Sequence, residues 1–239
     1  NEELGLSFLR QYHSELFPQL PSNGHFNERR TRLGPLIEQI RCWLTVQEGL
    51  LTTTDPVRLI DSAPIFVATY GRGGDNQTLT GHEYFGVASS HGAKVFGLRL
   101  DITTSHDQVI DQWMLAPASY HDSTTMPALV EDQNDLLLIG DGAYHNPTVE
   151  PVLHHHHQID VLAPPRQDSR LYAWSKAAIQ TVARFRRPIE SAFSVLATVF
   201  NIEHPQARSL HGLVSRIATR ILAYTCSFVM NNYLALLTG

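Results

Sequence analysis

The sequence predicts an α/β protein in which a mixed five-stranded sheet is flanked by helices, preceded by a small helical region. Of its 239 residues, 43% are hydrophobic, which is enough for one sizeable core. Strand-length apolar runs begin near residue 57, and from about residue 120 they alternate with helical patterns. Three successive strands followed by alternating units favour a sheet with both antiparallel and parallel pairs.

Residues 1–55 are predicted to form the helical region, and residues 56–239 the main domain. Apolar residues recur at helical spacing before the break "PSNG", and a second helical pattern then carries Arg29, Arg30 and Arg32. A small DNA-binding unit and a solvated arginine face both explain these bases. Because the chain begins without methionine, we expect this region to be truncated at its N-terminus.

The main domain is predicted to begin with three strands. The segments are "VRLIDSAPIFVAT", "AKVFGLRLDITT" and "DQVIDQWMLAPAS", separated by the polar, glycine-bearing loop at residues 70–86 and by the turn "SHDQ". A short helix over "TTMPALVED" follows, then the strand "DLLLIGD", a helix starting near "NP", the strand "QIDVLAPP" and further helices. The run "HHHH" is expected to be an exposed helix end, with metal binding as the alternative.

Charge is distributed unevenly along the chain. The formal net charge is −5, but residues 101–163 carry ten acids and no Lys or Arg, whereas residues 164–239 carry nine bases and three acids. Local potential matters more than the total for attracting a polyanion. The two cysteines form no metal-type cluster, and the apolar run "ILAYTCSFVM" is too short to span a bilayer. These features favour a reduced, cytoplasmic protein.

Two aspartates share the same local context. Asp61 lies within an apolar strand and Asp141 ends another, 80 residues later. Ligands gather at strand ends in α/β sheets, and two carboxylates there resist ionisation unless a cation lies between them. Mg²⁺ prefers such oxygen ligands. Gly140 and Gly142 would let a metal or phosphate approach, and a turn or capping role remains the alternative for either aspartate.

A third carboxylate is predicted in the helical segment "RFRRPIESAFSVL". Glu190 lies at the edge of an apolar stripe, and Arg186 precedes it by four residues on the same face of a continuous helix. Pro188 would start or kink that helix. Taken alone, Arg186 and Glu190 favour an ordinary surface ion pair, which contributes little to stability.

Six segments together carry a resemblance to a known family. DDE transposases of bacterial insertion sequences show the same motifs in the same order: "LIDSAP", "LAPASYHD", "LLLIGDGAY", "VLAPPR", "RRPIESAFSVL" and "FNIEHPQARSLHGL". Each motif is weak alone, but six in order are highly specific. From about Leu16 to its C-terminus the chain resembles this group, and most closely the insertion-sequence 982 family.

This resemblance implies a ribonuclease-H-like catalytic domain over residues 56–239, including the C-terminal helices. It implies that Asp61, Asp141 and Glu190 are the catalytic triad and the metal ligands. They would hold two Mg²⁺ ions, for which Mn²⁺ substitutes, during DNA cleavage and strand transfer. Either Arg186 or Arg187 would correspond to the arginine before the glutamate.

The chain departs from the family pattern at two places. After the second aspartate, relatives often have lysine, glycine and tyrosine, whereas this chain has "GAY" at residues 142–144. Relatives often have a lysine seven residues after the glutamate, whereas this chain has Ala197. The loss of two bases weakens the expectation for phosphate binding but leaves the triad intact. Arg166 is a candidate to compensate.

The implied function is that of a transposase acting on insertion-sequence ends. Its expected partners are double-stranded DNA, as terminal inverted repeats and as target, and further copies of the chain in a homodimer or larger synaptic complex. No membrane partner is expected, and the location would be cytoplasmic, at the bacterial nucleoid. The DNA-binding candidates are Arg29, Arg30, Arg32, Arg166, Arg186 and Arg187.

Two alternative functions, and two interpretations of one residue pair, remain open at this point. A catalytically inactive, DNA-binding descendant would keep the same fold. A haloacid-dehalogenase-type phosphatase is suggested by "GDGAY", but it requires aspartates where this chain has Ala63 and His145. The pair His121-Asp122 recurs in the resembling family, and Asp122 is expected to cap the following helix rather than to lie near the active site.

Overall fold

The computed structural model describes residues 2–52, 55–88, 92–165 and 174–238. The helices are α1 (Glu2–Tyr12), α2 (Asn23–Arg32), α3 (Gly34–Gln47), α4 (Asp122–Leu129), α5 (Glu150–His157), α6 (Lys176–Thr198) and α7 (Leu210–Thr238). The strands are β1 (Val57–Ala68), β2 (Phe85–Ala88), β3 (Ala93–Thr104), β4 (Ile110–Pro117), β5 (Leu137–Ile139) and β6 (Asp160–Leu162).

The described residues form one six-stranded sheet in the order β2-β3-β1-β5-β6, and β4 also pairs with β3. β1, β2 and β4 each run antiparallel to β3, whereas β1, β5 and β6 are mutually parallel. The predicted mixed sheet with flanking helices is confirmed, and the ribonuclease-H-like assignment stays a prediction.

The prediction of five strands is wrong, because the sheet of the described residues has a further strand, β2, which begins in the last two residues of the predicted loop. It has only four residues, Phe85–Ala88, and one of them is Gly86. A β-carbon at Gly86 would lie 2.2 Å from the carbonyl oxygen of Ala118. The glycine that suggested a loop therefore permits close packing of this short strand.

The two faces of the sheet carry separate cores, and side chains alternate between them along β1. Leu59 packs with the buried residues of α6 and α7, including Ile189 and Ile217. Ile60 packs on the opposite face with α4 and α5, through residues such as Met126. Odd-numbered positions at the start of β1 therefore face α6, and even-numbered positions face α4.

Helix α3 is fastened to the edge of the sheet by a buried arginine. Arg41 is 1% exposed, and its guanidinium donates to the carbonyl oxygens of Ile110 and Asp111 on β4, at 2.8 and 2.9 Å. Trp113 of β4 donates its indole N–H to Glu38 of α3 at 2.9 Å. The helical region is thus hydrogen-bonded directly to the sheet.

Helix α7 has 29 residues, and by length and composition alone it could cross a membrane. Its Leu213, Ile217 and Ile221 are fully buried against the sheet and α6. Core helices of proteins without membrane spans have the same character, so this is weak evidence for a span.

Candidate active site

The register of the parallel strands places Asp61 beside Asp141. β1 and β5 pair Val57 with Leu137 and Leu59 with Ile139, a constant offset of 80 residues. Asp61 and Asp141 have the same offset, two residues beyond the last pair. Because adjacent strands are about 4.8 Å apart, Asp61, which lies within β1, and Asp141, which follows the end of β5, are neighbours. The spacing of 80 residues between the two aspartates therefore equals the residue offset between paired positions of β1 and β5.

Both aspartates lie on the face of the sheet that α6 covers. Asp61 shares the parity of Leu59, and Asp141 shares that of Ile139, and both of these apolar residues belong to the core beneath α6. α6 runs unbroken through Pro188, from Lys176 to Thr198. A helix start at Pro188, one of the two predicted outcomes, is wrong, because the helix begins at Lys176 and so contains both Arg186 and Glu190.

Asp61 is held by two hydrogen bonds. The backbone N–H of Ser62 donates to Oδ1 and the Nη2 of Arg186 donates to Oδ2, each at 2.9 Å. Burial raises the pKa of Asp61 from 3.8 to about 6, against the lowering effect of Arg186, and Asp141 raises it further. The expected surface pair between Arg186 and Glu190 is therefore wrong, because the arginine bonds to Asp61.

Asp141 begins the turn after β5. Its Oδ1 accepts the backbone N–H of Ala143 at 2.8 Å. The neighbouring glycines serve packing: a β-carbon at Gly140 would lie 2.9 Å from the ring of Tyr144, and one at Gly142 would lie 3.1 Å from the carbonyl of Pro164. Close packing alone accounts for both glycines, without the predicted role of leaving room for a metal or a phosphate.

One cavity brings the three acids together. It has a volume of about 400 Å³, and Asp61, Asp141 and Glu190 all line it, together with Arg99 and Arg186. Glu190 is exposed at its mouth. The buried Nε of Arg186 has no hydrogen-bond partner among the described residues, so this guanidinium keeps one unused donor beside the carboxylates.

The carboxylate oxygens that line this cavity suit divalent cations that prefer oxygen ligands. Three carboxylates face one space, and burial with mutual repulsion keeps Asp61 from ionising readily in the absence of a further cation. Within the described ranges, however, no three acidic, histidine or cysteine side chains are already gathered as a metal site. Arg186 occupies one oxygen of Asp61, so a bound ion would compete with that ion pair.

Behind Asp61, a buried ion pair supports the strand. Ser62 donates its hydroxyl to Oδ1 of Asp122 at 2.6 Å, and the same oxygen lies 2.6 Å from Nη1 of Arg99. The expectation that Asp122 caps α4 is wrong: His121 is the N-cap residue, and its side chain accepts from the N–H of Ser123. The carboxylate of Asp122 instead holds the two strands that flank the cavity.

Asp101 is a buried carboxylate that the sequence analysis did not single out. It is fully buried on β3, opposite Ser62 in register, and among the described residues neither of its oxygens has a partner in ideal hydrogen-bond geometry, although the nearby hydroxyl of Thr125 lowers its pKa. Burial raises its pKa to about 7, and the charge of Asp122 adds to this. An aspartate and an arginine, Asp101 and Arg99, within the otherwise apolar run "VFGLRLDI" were the available signal.

The six DNA-binding candidates do not share one location. Arg186 lines the carboxylate cavity, whereas Arg30 and Arg32 line a second cleft. Arg29 and Arg187 are exposed and line neither. Arg166 falls outside the described residues.

One comparison with known proteins, a family model, agrees with the predicted resemblance. The family model "Transposase DDE domain" matches residues 52–226, most of the chain. No curated protein matches. Among solved structures, the Mos1 transposase paired-end complex with left transposon end is similar at 10% identity and a TM-score of 0.28, over 74% of this chain and 63% of that chain. This chain thus spans less than two thirds of the Mos1 chain.

The family match confirms a DDE transposase and does not reach the insertion-sequence 982 family, which stays a prediction. The matched segment contains all three cavity acids, Asp61, Asp141 and Glu190. The chain belongs to the family of transposase DDE domains.

Proposed function

We propose that this chain binds the ends of an insertion sequence and catalyses metal-dependent DNA cleavage and strand transfer. The observation that supports this best is the register-matched pair Asp61 and Asp141, with Glu190 of α6 at the same cavity. Three carboxylates from a strand, a strand end and a facing helix provide oxygen ligands on one side of a space open to solvent.

The triad would hold two Mg²⁺ or Mn²⁺ ions. When bound, such ions supply charge stabilisation at the phosphate and a nucleophile of lowered pKa. Asp61 is positioned by β1 and Ser62, Asp141 by its turn, and Glu190 by the rigid helix α6. Preorganised ligands of this kind lower the reorganisation that the reaction requires.

Arg186 has a separate role in this proposal. It neutralises Asp61 before a cation binds, and its guanidinium has a further N–H directed into a buried position without a partner among the described residues. An arginine fork suits a phosphate oxygen. When metal and DNA are bound, the guanidinium of Arg186 would therefore leave the carboxylate of Asp61 and bind a phosphate of the DNA.

The proposal extends to partners and location. The DNA partners are the terminal inverted repeats and the target duplex, and joining two ends requires a homodimer or a larger synaptic complex. A cytoplasmic, nucleoid-associated location follows from such a substrate. Residues 1–55 would contribute DNA contacts, and residues 56–239 the chemistry.

A nicking assay tests the catalytic role. The chain is incubated with supercoiled plasmid carrying the element's ends, with Mg²⁺, Mn²⁺ or EDTA, and Asp141→Asn is compared at equal concentration. We expect divalent-dependent nicking by the wild type and a loss of at least about a hundredfold in the variant, the scale of removing one electrostatic group from a transition state. Equal activity of Asp141→Asn, or no nicking by wild type, would overturn the proposal.

A further inference from the structure

A second, larger cleft lies between α2, the start of α7 and the segment that joins α6 to α7. Its volume is about 1080 Å³, and it shares no lining residue with the carboxylate cavity. Five arginines and one acid line it, which gives a formal charge of +4 in a chain whose net charge is −5. The charged lining residues are Glu28, Arg30, Arg32, Arg208, Arg216 and Arg220.

Arg216 fixes the walls of this cleft to each other. Its Nη1 donates to the carbonyl oxygens of Pro205 and Gln206 at 2.7 and 2.9 Å, and its Nη2 donates to Asn27 of α2 at 3.2 Å. Arg220 holds the same segment by donating to the carbonyl of Asn201 at 2.8 Å. The acceptors in these bonds are neutral groups, and the bonds position both guanidinium groups in the cleft.

The joining segment is held in an unusual conformation. Asn201 and Gln206 have φ values of 49° and 54°, a left-handed conformation that is uncommon for residues other than glycine. Such conformations persist where the surroundings enforce them and are found preferentially at functional sites. Arg216 and Arg220 donate to the carbonyl oxygens of these two residues, and Asn201 also follows the end of α6, where the N–H of Ile202 donates to the carbonyl of Leu196.

Two arginines remain available at the edges. Arg32 and Arg208 are exposed, and neither side chain makes a hydrogen bond or ion pair with any residue that the structure describes. They come from opposite walls, α2 and the segment before α7. The N-terminal residues of α2 and α7, Asn23 and Gly212, also line the cleft, and helix N-termini carry partial positive charge.

We propose that this cleft binds the phosphate backbone of double-stranded DNA, at a distance from the carboxylate cavity. The inference rests on the proposed function for the identity of the polyanion. Its volume lies at or above the upper end of small-molecule sites, and its charges are spread over two walls rather than focused on one point. Backbone phosphates along a duplex match that distribution. The site would anchor DNA without reading its sequence.

The test is DNA binding by the full chain in EDTA, where no cleavage occurs. Fluorescence anisotropy with a 30-bp duplex is measured from 50 to 300 mM NaCl for wild type and for Arg32→Ala/Arg208→Ala. We expect affinity to fall about tenfold for element-end and unrelated duplexes alike, and the slope of log K against log salt to shrink by about 2. Glu28→Gln, which removes the acid of the cleft, should bind more tightly than wild type.

Matched measurements keep the result interpretable. Arg72→Ala removes one exposed arginine from the turn at Tyr70–Asp75, outside both cavities, and should bind as wild type does. Thermal melting should show that the double variant folds. Unchanged affinity and salt slope in Arg32→Ala/Arg208→Ala would overturn the inference even if plasmid nicking persists. Absence of nicking in wild type would overturn only the catalytic proposal.

Two competitors identify the ligand. Inorganic phosphate at 10 mM should not displace the duplex beyond its ionic-strength effect, and duplex RNA should bind more weakly than duplex DNA. Displacement by phosphate at constant ionic strength would show a site for a small anion. Preference for RNA that is lost in the double variant would assign the cleft to another polymer. Either outcome contradicts the proposal.

Discussion

The Nη2 of Arg186 lies 2.9 Å from Oδ2 of Asp61, joining helix α6 to strand β1 across the cavity. Their side chains are 11% and 22% exposed, so water only partly screens this pair. Arg186 is four residues before Glu190 on the same helix face. The arginine that pairs with Asp61 and the carboxylate of Glu190 therefore belong to one continuous helix, which fixes their relative positions.

Arg186→Ala should destabilise the protein, because it leaves the half-buried carboxylate of Asp61 without its cation. We expect the free energy of unfolding to fall by about 1–3 kcal/mol in urea denaturation at pH 8. The loss should be smaller at pH 5, since the pKa of Asp61, already about 6, would rise further without the arginine. Arg187→Ala, an exposed neighbour, should change stability by less than about 0.5 kcal/mol, and an equal loss there would refute the assignment.

Glu190→Gln separates function from stability. Glu190 is exposed and makes no hydrogen bond or ion pair with the described part of the chain, so the melting temperature without metal should stay as in wild type. If Glu190 is a ligand, Mg²⁺ should raise the melting temperature of wild type and not of the variant, because only the native state binds the ion. An identical Mg²⁺ shift in both proteins would remove Glu190 from the metal site.

The buried pair of Asp122 and Arg99 should show strong coupling. Their side chains are 8% and 13% exposed, and the charged atoms are 2.6 Å apart. Asp122→Ala leaves the Arg99 charge unpaired and should cost about 3 kcal/mol, whereas Asp122→Ala/Arg99→Met should cost less than the sum of the single changes. Additive losses in a double-mutant cycle would show that the two residues act independently.

Asp101 should make the protein less stable as pH rises. Its pKa of about 7 exceeds the unfolded value of 3.8, so between those values the native state keeps a proton that the unfolded chain has released, and stability falls with rising pH. Asp101→Asn cannot ionise and should be more stable than wild type at pH 8, by up to about 4 kcal/mol.

This advantage should shrink towards pH 4, as measured by urea denaturation at several pH values. The groups facing Asp101 are Asp122 of α4, Arg99 of β3 and Asp61 of β1. The raised pKa of Asp61 also makes stability fall as pH rises, and it does so in wild type and in Asp101→Asn alike. A variant whose stability follows wild type in parallel across this range would exclude Asp101 as the source.

Gly97→Ala should prevent normal pairing of β1 and β3. A β-carbon there would lie 1.9 Å from the carbonyl oxygen of Ile65, and backbone on a central strand cannot yield cheaply. We expect a loss of at least about 3 kcal/mol, measured by thermal and urea denaturation. Gly74→Ala is the control, since nothing lies within 4 Å of the added carbon; a similar loss in both variants would contradict the steric cause.

The strands that flank the cavity were predictable because their apolar runs are long. β1 and β3 have twelve residues each, and two-faced burial leaves a clear pattern at that length. β2 has four residues and a glycine, so local composition favoured a loop. β2 forms by pairing with the neighbouring strand β3, and a local sequence pattern carries no information about that pairing.

The candidate site residues show the same difference between what a local sequence pattern contains and what depends on distant residues. Asp61, Asp141 and Glu190 were predicted from strand ends and motif order, and the structure places all three at one cavity. The partners of Arg186 and Asp122 were predicted wrongly, because local rules favour an i,i+4 ion pair for the first and a helix cap for the second. Both side chains instead bond to β1, more than 50 residues away in sequence.

The shortness of β5 leaves part of the edge of β1 without a strand partner. β5 stops at Ile139, whereas β1 continues to Ala68, and in the described residues no parallel strand accompanies that continuation. Further along, the backbone N–H of Phe66 donates to the carbonyl oxygen of Glu203, in the segment that joins α6 to α7, at 2.8 Å. The unpaired stretch therefore begins beside Asp61 and ends where this segment meets the strand. Lengthening β5 by two or three paired residues would place main chain beside Asp61 without changing any of the carboxylates.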